Sequence, residues 1–423
     1  MKNISRNIFF WSLILLALMA AGVLFSPVSG DAPYYIATAR DISRGFVPYQ
    51  HINMAYTPIV MYLNSLIWTI FDEPGYFLFI VFQYAVILLS GFILYKIAIQ
   101  SGLEKKKSIF TAVFFLICVL SCDGNYINLE VYNILFVLLA YLALQDQKFL
   151  LSGILLGITF FCKQYGLLNF IPFVLLVFFG EHQRIKNAFL LCLGGSLPLI
   201  LFLVYFTGFK DVTIAELLYQ LTGQGYGEKS LAGSKSFIGY LNGAKVLLLM
   251  LLPLVFLKFN PLRNKVQLVL FIGMLVSLLP VFVQNFQHYF LNAFPYAALL
   301  LILNWKTHHI NWPVLHVSLA IVSLFLAIRL VNYTKKADNQ RKVAEALEAI
   351  YPKGSPVYLK GTSNYLYILN DYANPALQRA GYSYIFKTDA DFLKENTVLS
   401  FERIKNKVPE RITTIDGTKI YEY

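Results

Sequence analysis

The chain has 423 residues, of which 57% are hydrophobic and 14% charged, and it carries a net charge of +12. A soluble protein is about 45–50% apolar and about 25% charged, so a water-soluble globule is excluded. In a membrane protein the placement of the basic excess reports orientation, and no nucleic acid is expected as a partner.

Apolar runs recur at 8–25, 76–98, 109–121, 131–144, 149–162, 165–179, 188–206, 244–258, 266–283, 289–303 and 313–331, which gives eleven spans. Several are shorter than the ~20 residues a span needs, so their ends extend into flanking polar residues. The first run has the basic start of a signal peptide, but Ser26-Pro27-Val28 is a poor cleavage site, and it reads as a retained helix. The loop 26–75 follows, with a surface helix expected over Pro33 to Arg44 and stopped by Gly45.

Orientation depends on Pro58 to Phe71. If that run lies on the surface, the inner loops collect thirteen cations, the Lys105-Lys106-Lys107 cluster among them, against Glu104, Asp146 and Glu181. If it spans, nearly all of those basic loops move outside, against the positive-inside rule. It is therefore expected to be an interfacial helix, with the N-terminus in the cytosol and the C-terminal part outside the inner membrane of the cell. The second long outer loop, 207–243, carries Gly223, Gly225, Gly227 and Gly233 and is expected to form a flap.

Residues 1–331 hold 33 charged side chains, whereas 332–423 hold 25 in 92 residues. The second stretch has the charge density of a water-exposed domain. It is expected to contain a helix at Lys336 to Ile350, a strand at Pro356 to Lys360 and a helix at Asn364 to Asn370. A hairpin pairing Arg411 to Ile415 with Thr418 to Glu422 around Asp416-Gly417 closes it. The expected fold class is an all-α polytopic membrane bundle (1–331) with a small C-terminal α/β extracytoplasmic domain (332–423). Cys118, Cys122, Cys162 and Cys192 lie in apolar segments without metal-site spacing and are expected to be buried thiols.

Asp31 stands just outside the first span, ahead of a helix carrying Arg40 and Arg44 on one face. A carboxylate beside paired cations suits transfer from a lipid phosphate; the alternative is that Asp31 caps the helix and the arginines touch headgroups. Glu130 opens the fourth span, where it either faces a polar cavity or answers the helix dipole. Asp123 is expected to be a solvated loop residue. Lys163 ends the fifth span and either binds phosphate or snorkels, and His288 with Tyr289 opens the tenth. The topology places Asp31, Arg40, Arg44, Glu130, Lys163 and His288 on the same outer face.

At these residues the chain resembles the GT-C glycosyltransferases, in the branch of protein O-mannosyltransferases and lipid A aminoarabinose transferases. Asp31 with Tyr34-Tyr35, Ile36-Ala37 and Arg40 is similar to the family's first-loop acidic motif, and Gly45-Phe46-Val47-Pro48 to its continuation. Tyr56-Thr57-Pro58 falls where the family often has Lys-Pro-Pro, Glu130 at its second-loop acid and His288-Tyr289 at its His-Tyr pattern. The sequence departs from the family in having Asp31-Ala32 for an Asp-Glu pair, Glu for Asp at position 130, and no lysine beside Pro58.

The resemblance implies inverting transfer of a sugar from a polyprenyl-phosphate donor to a lipid, glycan or protein acceptor. Asp31 is then the general base, and Glu130 orients a sugar. Arg40, Arg44, Lys163 and His288 meet the leaving phosphate, and Tyr34, Tyr35, Tyr56 and Tyr289 shape the substrate site. No cofactor is required, and a divalent metal shared by Asp31 and Glu130 is the variant reading. The competing class is a transporter or flippase of lipid-linked sugars; against it, charges are nearly absent from the span centres.

Overall fold

The computed structural model describes residues 2–28, 31–52, 54, 56–71, 74–180, 183–222, 237–256, 264–283, 286–307, 312–360, 365–370, 397–400, 411–415 and 418–422. In chain order the helices are α1 (Lys2–Phe25), α2 (Ala32–Ser43), α3 (Ile59–Ile70), α4 (Tyr76–Gln100), α5 (Lys105–Val119), α6 (Leu129–Gln145), α7 (Phe149–Cys162) and α8 (Phe170–Phe178). They continue with α9 (Arg184–Leu203), α10 (Ile214–Leu221), α11 (Phe237–Phe256), α12 (Lys265–Ser277), α13 (Leu279–Val283), α14 (Phe294–Thr307), α15 (Trp312–Glu348) and α16 (Leu366–Leu369). The strands are β1 (Val357–Lys360), β2 (Thr397–Ser400), β3 (Arg411–Ile415) and β4 (Thr418–Glu422). Apart from the turn residues Phe179 and Leu278, each of the eleven expected runs falls on helix in its described residues. Six of the described helices are long and apolar enough to cross a bilayer, and shorter apolar helices accompany them.

The chain divides into two compact units. The first comprises Met1–Val23, Val81–Val204 and Gly233–Arg329, and the second Leu24–Ile80, Tyr205–Ala232 and Leu330–Tyr423. In the first unit α7 and α9 approach until main chain meets main chain. A methyl group on Gly153 would strike the Leu191 carbonyl, and one on Gly157 would come within 2.6 Å of the Gly195 carbonyl. Small residues four apart allow such contact, and in lipid close van der Waals packing is what joins helices. Phe189 and Leu201 on α9, like Phe9 and Leu13 on α1, remain largely exposed, as lipid-facing side chains do.

Two of the expected spans do not begin as α-helix. Residues Gln164–Asn169 and Gln287–Ala293 are 3₁₀ turns that lead into α8 and α14. Lys163 sets up the first, because its extended backbone (φ −162°, ψ 143°) ends α7.

The second unit packs α2 against α3, with the Trp68 Nε1 donating to the Ile36 carbonyl at 3.2 Å. Twelve residues of α3 reach only about 18 Å at 1.5 Å per residue, which is too short to span. Its one-sided burial (Val60, Met61, Asn64, Ser65 and Ile67 inside, Leu66 and Ile70 outside) suits a helix lying at an interface.

The last span was expected to stop at residue 331, but α15 continues unbroken for 37 residues to Glu348. Nothing between Val331 and Glu348 is Gly or Pro, and Lys, Ala, Gln and Glu are good helix formers. After it, a four-stranded sheet has the order β1-β2-β4-β3, with β1 and β2 parallel and the other pairs antiparallel. The Arg411–Glu422 to Ile415–Thr418 register is that of the expected hairpin; its Asp416-Gly417 turn lies outside the described residues, as do Gly223, Gly225, Gly227 and Gly233 of the expected flap. Strand β2 was not anticipated.

Candidate functional site

The first unit gathers Glu130, Lys163, Tyr165, His288 and Tyr289. Glu130 sits in the first turn of α6, where the helix dipole favours an anion, and it is completely buried. Its Oε1 takes the Lys163 ammonium at 2.6 Å, accepts the Tyr165 hydroxyl and lies 3.9 Å from the His288 Nε2. Lys163, 1% exposed, also lies over the faces of Tyr289 and Tyr165, 4.5 and 5.2 Å from the ring centroids. Those two rings meet edge to face at 5.3 Å. The other carboxylate oxygen, Oε2, is buried and has no hydrogen-bond partner among the described residues. A buried carboxylate oxygen without a donor is costly, so this atom is the natural place for a ligand hydroxyl or ammonium group.

The loop ahead of α6 is fixed by side-chain amides. Gln83 donates to the Gly124 carbonyl at 2.8 Å, and its Oε1 accepts the Asn128 amide at 2.8 Å. Asp123, expected to be solvated, is instead paired with Arg329. Its left-handed backbone (φ 65°) is one aspartate tolerates, and the tight turn brings the carboxylate to that guanidinium, which lies over the Tyr126 ring as well.

The second unit holds the other candidates. Asp31 precedes α2 without a side-chain capping bond; its carboxylate instead accepts the Tyr35 hydroxyl at 3.2 Å. The rings of Tyr34, Tyr35 and Tyr56 pack edge to face with centroids 5.6 to 5.8 Å apart. Tyr49 supports this group by donating its hydroxyl to the Tyr56 carbonyl at 2.8 Å, and burial pushes that hydroxyl's pKa well up, which keeps it a neutral donor. Gln220 of α10 holds the same loop, donating to the Tyr49 carbonyl at 2.8 Å and accepting the Met54 amide at 2.9 Å.

The two arginines differ in their setting. Arg40 is 1% exposed, pairs with Asp41 at 3.3 Å and donates to the Tyr367 carbonyl at 2.9 Å. Arg44 lies exposed just past the end of the helix. The tail covers Arg40 through the Tyr367 carbonyl, whereas Arg44 is exposed. Sequence reasoning also passed over Tyr165, although it directly follows Lys163-Gln164 in the same polar break between apolar runs. Among the described residues no group of three or more His, Cys, Asp and Glu side chains could hold a metal ion.

No family model matches the chain, and no curated protein matches it in sequence. Its fold does have solved counterparts. ArnT from Cupriavidus metallidurans bound to undecaprenyl phosphate superposes with a TM-score of 0.69 at 10% identity, over 99% of this chain and 98% of that one. The apo state of the same protein gives 0.62 at 9% identity, with the same coverage. Likeness along almost the whole of both chains, in a multi-pass helical membrane protein, establishes the architecture that the sequence motifs suggested: the chain has the GT-C fold.

Proposed function

We propose that this protein is a membrane glycosyltransferase that moves a sugar from a polyprenyl-phosphate donor to an acceptor on the outer face of the cell membrane, inverting the anomeric centre. The observation that carries the reading is the buried Glu130 carboxylate, with one oxygen saturated by Lys163 and Tyr165 and the other open. An open acceptor next to cationic groups is what a sugar phosphate needs, since its hydroxyls donate and its phosphate attracts positive charge. That the ArnT structure with the same fold holds undecaprenyl phosphate supports a lipid-borne donor.

In this scheme the acceptor hydroxyl oxygen attacks C1 of the sugar from the side opposite the phosphate. The C1–O bond breaks, its electron pair leaves with the polyprenyl phosphate, and the hydroxyl proton passes to the Asp31 carboxylate. Asp31 is held by Tyr35 rather than spent on a helix cap, so it remains available as a base. Glu130 Oε2 accepts a sugar hydroxyl, and Lys163 and His288 offset the charge that builds on the leaving phosphate. Arg44 is the exposed first-loop cation in this scheme and would meet a headgroup, and Tyr34 and Tyr35, buried against Tyr56, would shape the substrate site from behind it. The scheme calls for no cofactor. The charge asymmetry of the loops orients the N-terminus to the cytosol and the tail outward.

Proteoliposomes charged with labelled polyprenyl-phosphate sugars test the reading. The wild type is expected to transfer label to an added acceptor pool, with Asp31→Asn slowed by about 100-fold or more. Full transfer by the variant would remove Asp31 as the base. Label that crosses the bilayer without leaving its lipid would replace the enzyme by a transporter.

A further inference from the structure

Asn133, one helical turn from Glu130 on α6, is one of three linked buried asparagines; the others are Asn169 at the end of the first 3₁₀ turn and Asn292 within the second. A primary amide in an apolar interior has to find partners or lose about 1–3 kcal/mol for each unmet group. These amides find them in one another and in Tyr296, Gly166 and Tyr289. The Tyr296 hydroxyl donates to Asn169 Oδ1 at 2.8 Å. Asn169 Nδ2 donates to the Gly166 carbonyl at 2.8 Å and lies 3.5 Å from Asn133 Oδ1. Asn133 Nδ2 donates to Asn292 Oδ1 at 2.7 Å, and Asn292 Nδ2 donates to the Tyr289 carbonyl at 3.1 Å.

The chain of bonds runs in one direction. Turning over Asn133 or Asn292 would set donor against donor and acceptor against acceptor, and turning over Asn169 would set its oxygen against the Gly166 carbonyl and Asn133 Oδ1, so the three orientations fix one another. Its backbone contacts are the carbonyl of Gly166, in the turn that carries Tyr165 and follows Lys163, and the carbonyl of Tyr289, in the turn that carries His288. A 3₁₀ turn has poor hydrogen-bond geometry of its own and is seldom stable in long runs, so each segment depends on outside bonds. Thr159 also holds the Gly166 carbonyl, and Gln287 also bonds to Ser121, while the asparagines tie the two turns to each other through α6.

We propose that Asn133 is a positioning residue. Bonded to Asn169 on one side and Asn292 on the other, it locks the two 3₁₀ turns to α6, and so holds Lys163, Tyr165 and His288 at Glu130. The proposal rests on the Glu130 pocket being the donor site, and its test separates the two.

Asn133→Leu removes both bonds. Asn133→Asp keeps the shape and adds a switch: a neutral carboxylic acid has one donor and one acceptor and can replace the amide, whereas a carboxylate can only accept. Burial raises the pKa of such an acid, so the variant works below its pKa and fails above it. The titratable groups on the elements packed around position 133 are Glu130, Cys162, Lys163, Tyr165, His288, Tyr289 and Tyr296, and a wild-type profile at each pH accounts for them.

In the transfer assay Asn133→Leu is expected to lose about 100-fold at every pH, as a misplacement of about 1 Å would cause. Asn133→Asp should approach the wild type in acid and fall away from it as pH rises. Undiminished transfer by Asn133→Leu, or an Asn133→Asp to wild-type ratio that is flat with pH, overturns the proposal.

Hydrogen exchange of the full chain in nanodiscs decides the matter independently of activity. Residues 164–169 and 287–293 should exchange about 10-fold faster in Asn133→Leu, with the α7–α9 pair unchanged; unchanged protection of the two turns overturns the proposal. If Asn133→Leu does not fold, Asn133→Asp against wild type at acid and neutral pH gives the same comparison. A wild type that transfers nothing, with these exchange changes present in Asn133→Leu, would end the glycosyltransferase reading and leave the positioning role standing.

Discussion

At Glu130 a single unpaired substitution should be worse than a double one. Glu130 and Lys163 are 1% and 2% exposed at the side chain and meet at 2.6 Å. Breaking a buried pair from one side strands a charge and costs about 3–5 kcal/mol, whereas replacing both members is close to neutral. Lys163→Met should therefore melt well below wild type in detergent, and Lys163→Met with Glu130→Gln should recover most of the loss. A double variant no more stable than the single one would mean that the pair does not stabilise the first unit in this way. Both residues were legible in the sequence because each is a charge at the end of an apolar run, where few uses are open to it. Asn133, Asn169 and Asn292 were not, since an asparagine inside an apolar run has no feature that distinguishes a bonded network from an isolated polar residue. Arg40 shows the converse limit. Its i, i+4 spacing to Arg44 suggests a shared face, but spacing cannot say that a carbonyl some three hundred residues away, that of Tyr367, takes up the Arg40 guanidinium.

At the scale of the element, the α7–α9 pair is set by missing side chains. Gly153→Ala puts a methyl group into the Leu191 carbonyl and within 2.9 Å of the Gly195 amide nitrogen, both parts of a main chain that cannot rotate away. Overpacking of this kind costs about 1–3 kcal/mol. Gly208→Ala meets nothing within 4 Å and should be neutral or raise stability by up to about 1 kcal/mol through the helix preference for alanine. Thermal denaturation of the two variants should separate them clearly, and equal melting points would contradict the close approach. The helices themselves were legible, because hydropathy marks a membrane segment whatever its partners. Their starts were less so. The runs 165–179 and 289–303 read as continuous helices, since an apolar pattern does not distinguish an i+3 turn from an i+4 one, and Tyr165, His288 and Tyr289 lie in the turns found there, with Lys163 directly before the first. In the same way the apolar run ends at Val331 although the helix does not, because loss of hydropathy ends a membrane segment and not a hydrogen-bonded ladder.

At the scale of the whole molecule, the tail was legible as a charged α/β segment but not as part of a larger unit, since charge density reports solvent and not neighbours. The second unit is assembled from segments far apart in the chain, Leu24–Ile80, Tyr205–Ala232 and Leu330–Tyr423, and a few polar contacts join them. Gln340 acts as a clamp on one residue of the Asp31 segment, accepting the Val28 amide at 3.0 Å and donating to the Val28 carbonyl at 2.7 Å. Arg40 reaches the Tyr367 carbonyl, and Gln220 grips the loop at Tyr49 and Met54. Gln340→Leu leaves two buried backbone groups without these partners, at about 1–3 kcal/mol each. If the unit opens as one cooperative body, that loss is shared by all of it. Hydrogen exchange should then quicken together in α2, in α10 and in the β1-β2-β4-β3 sheet, although the substitution touches none of them, while α7 and α9 of the first unit keep their protection. Exchange that rises only near Val28 and the end of α15 would instead make the tail a module that merely touches the Asp31 segment. In the cooperative case the tail is part of what holds the proposed base in place, and Gln340→Leu should slow transfer with Asp31, Tyr35 and the whole Glu130 cluster intact in sequence.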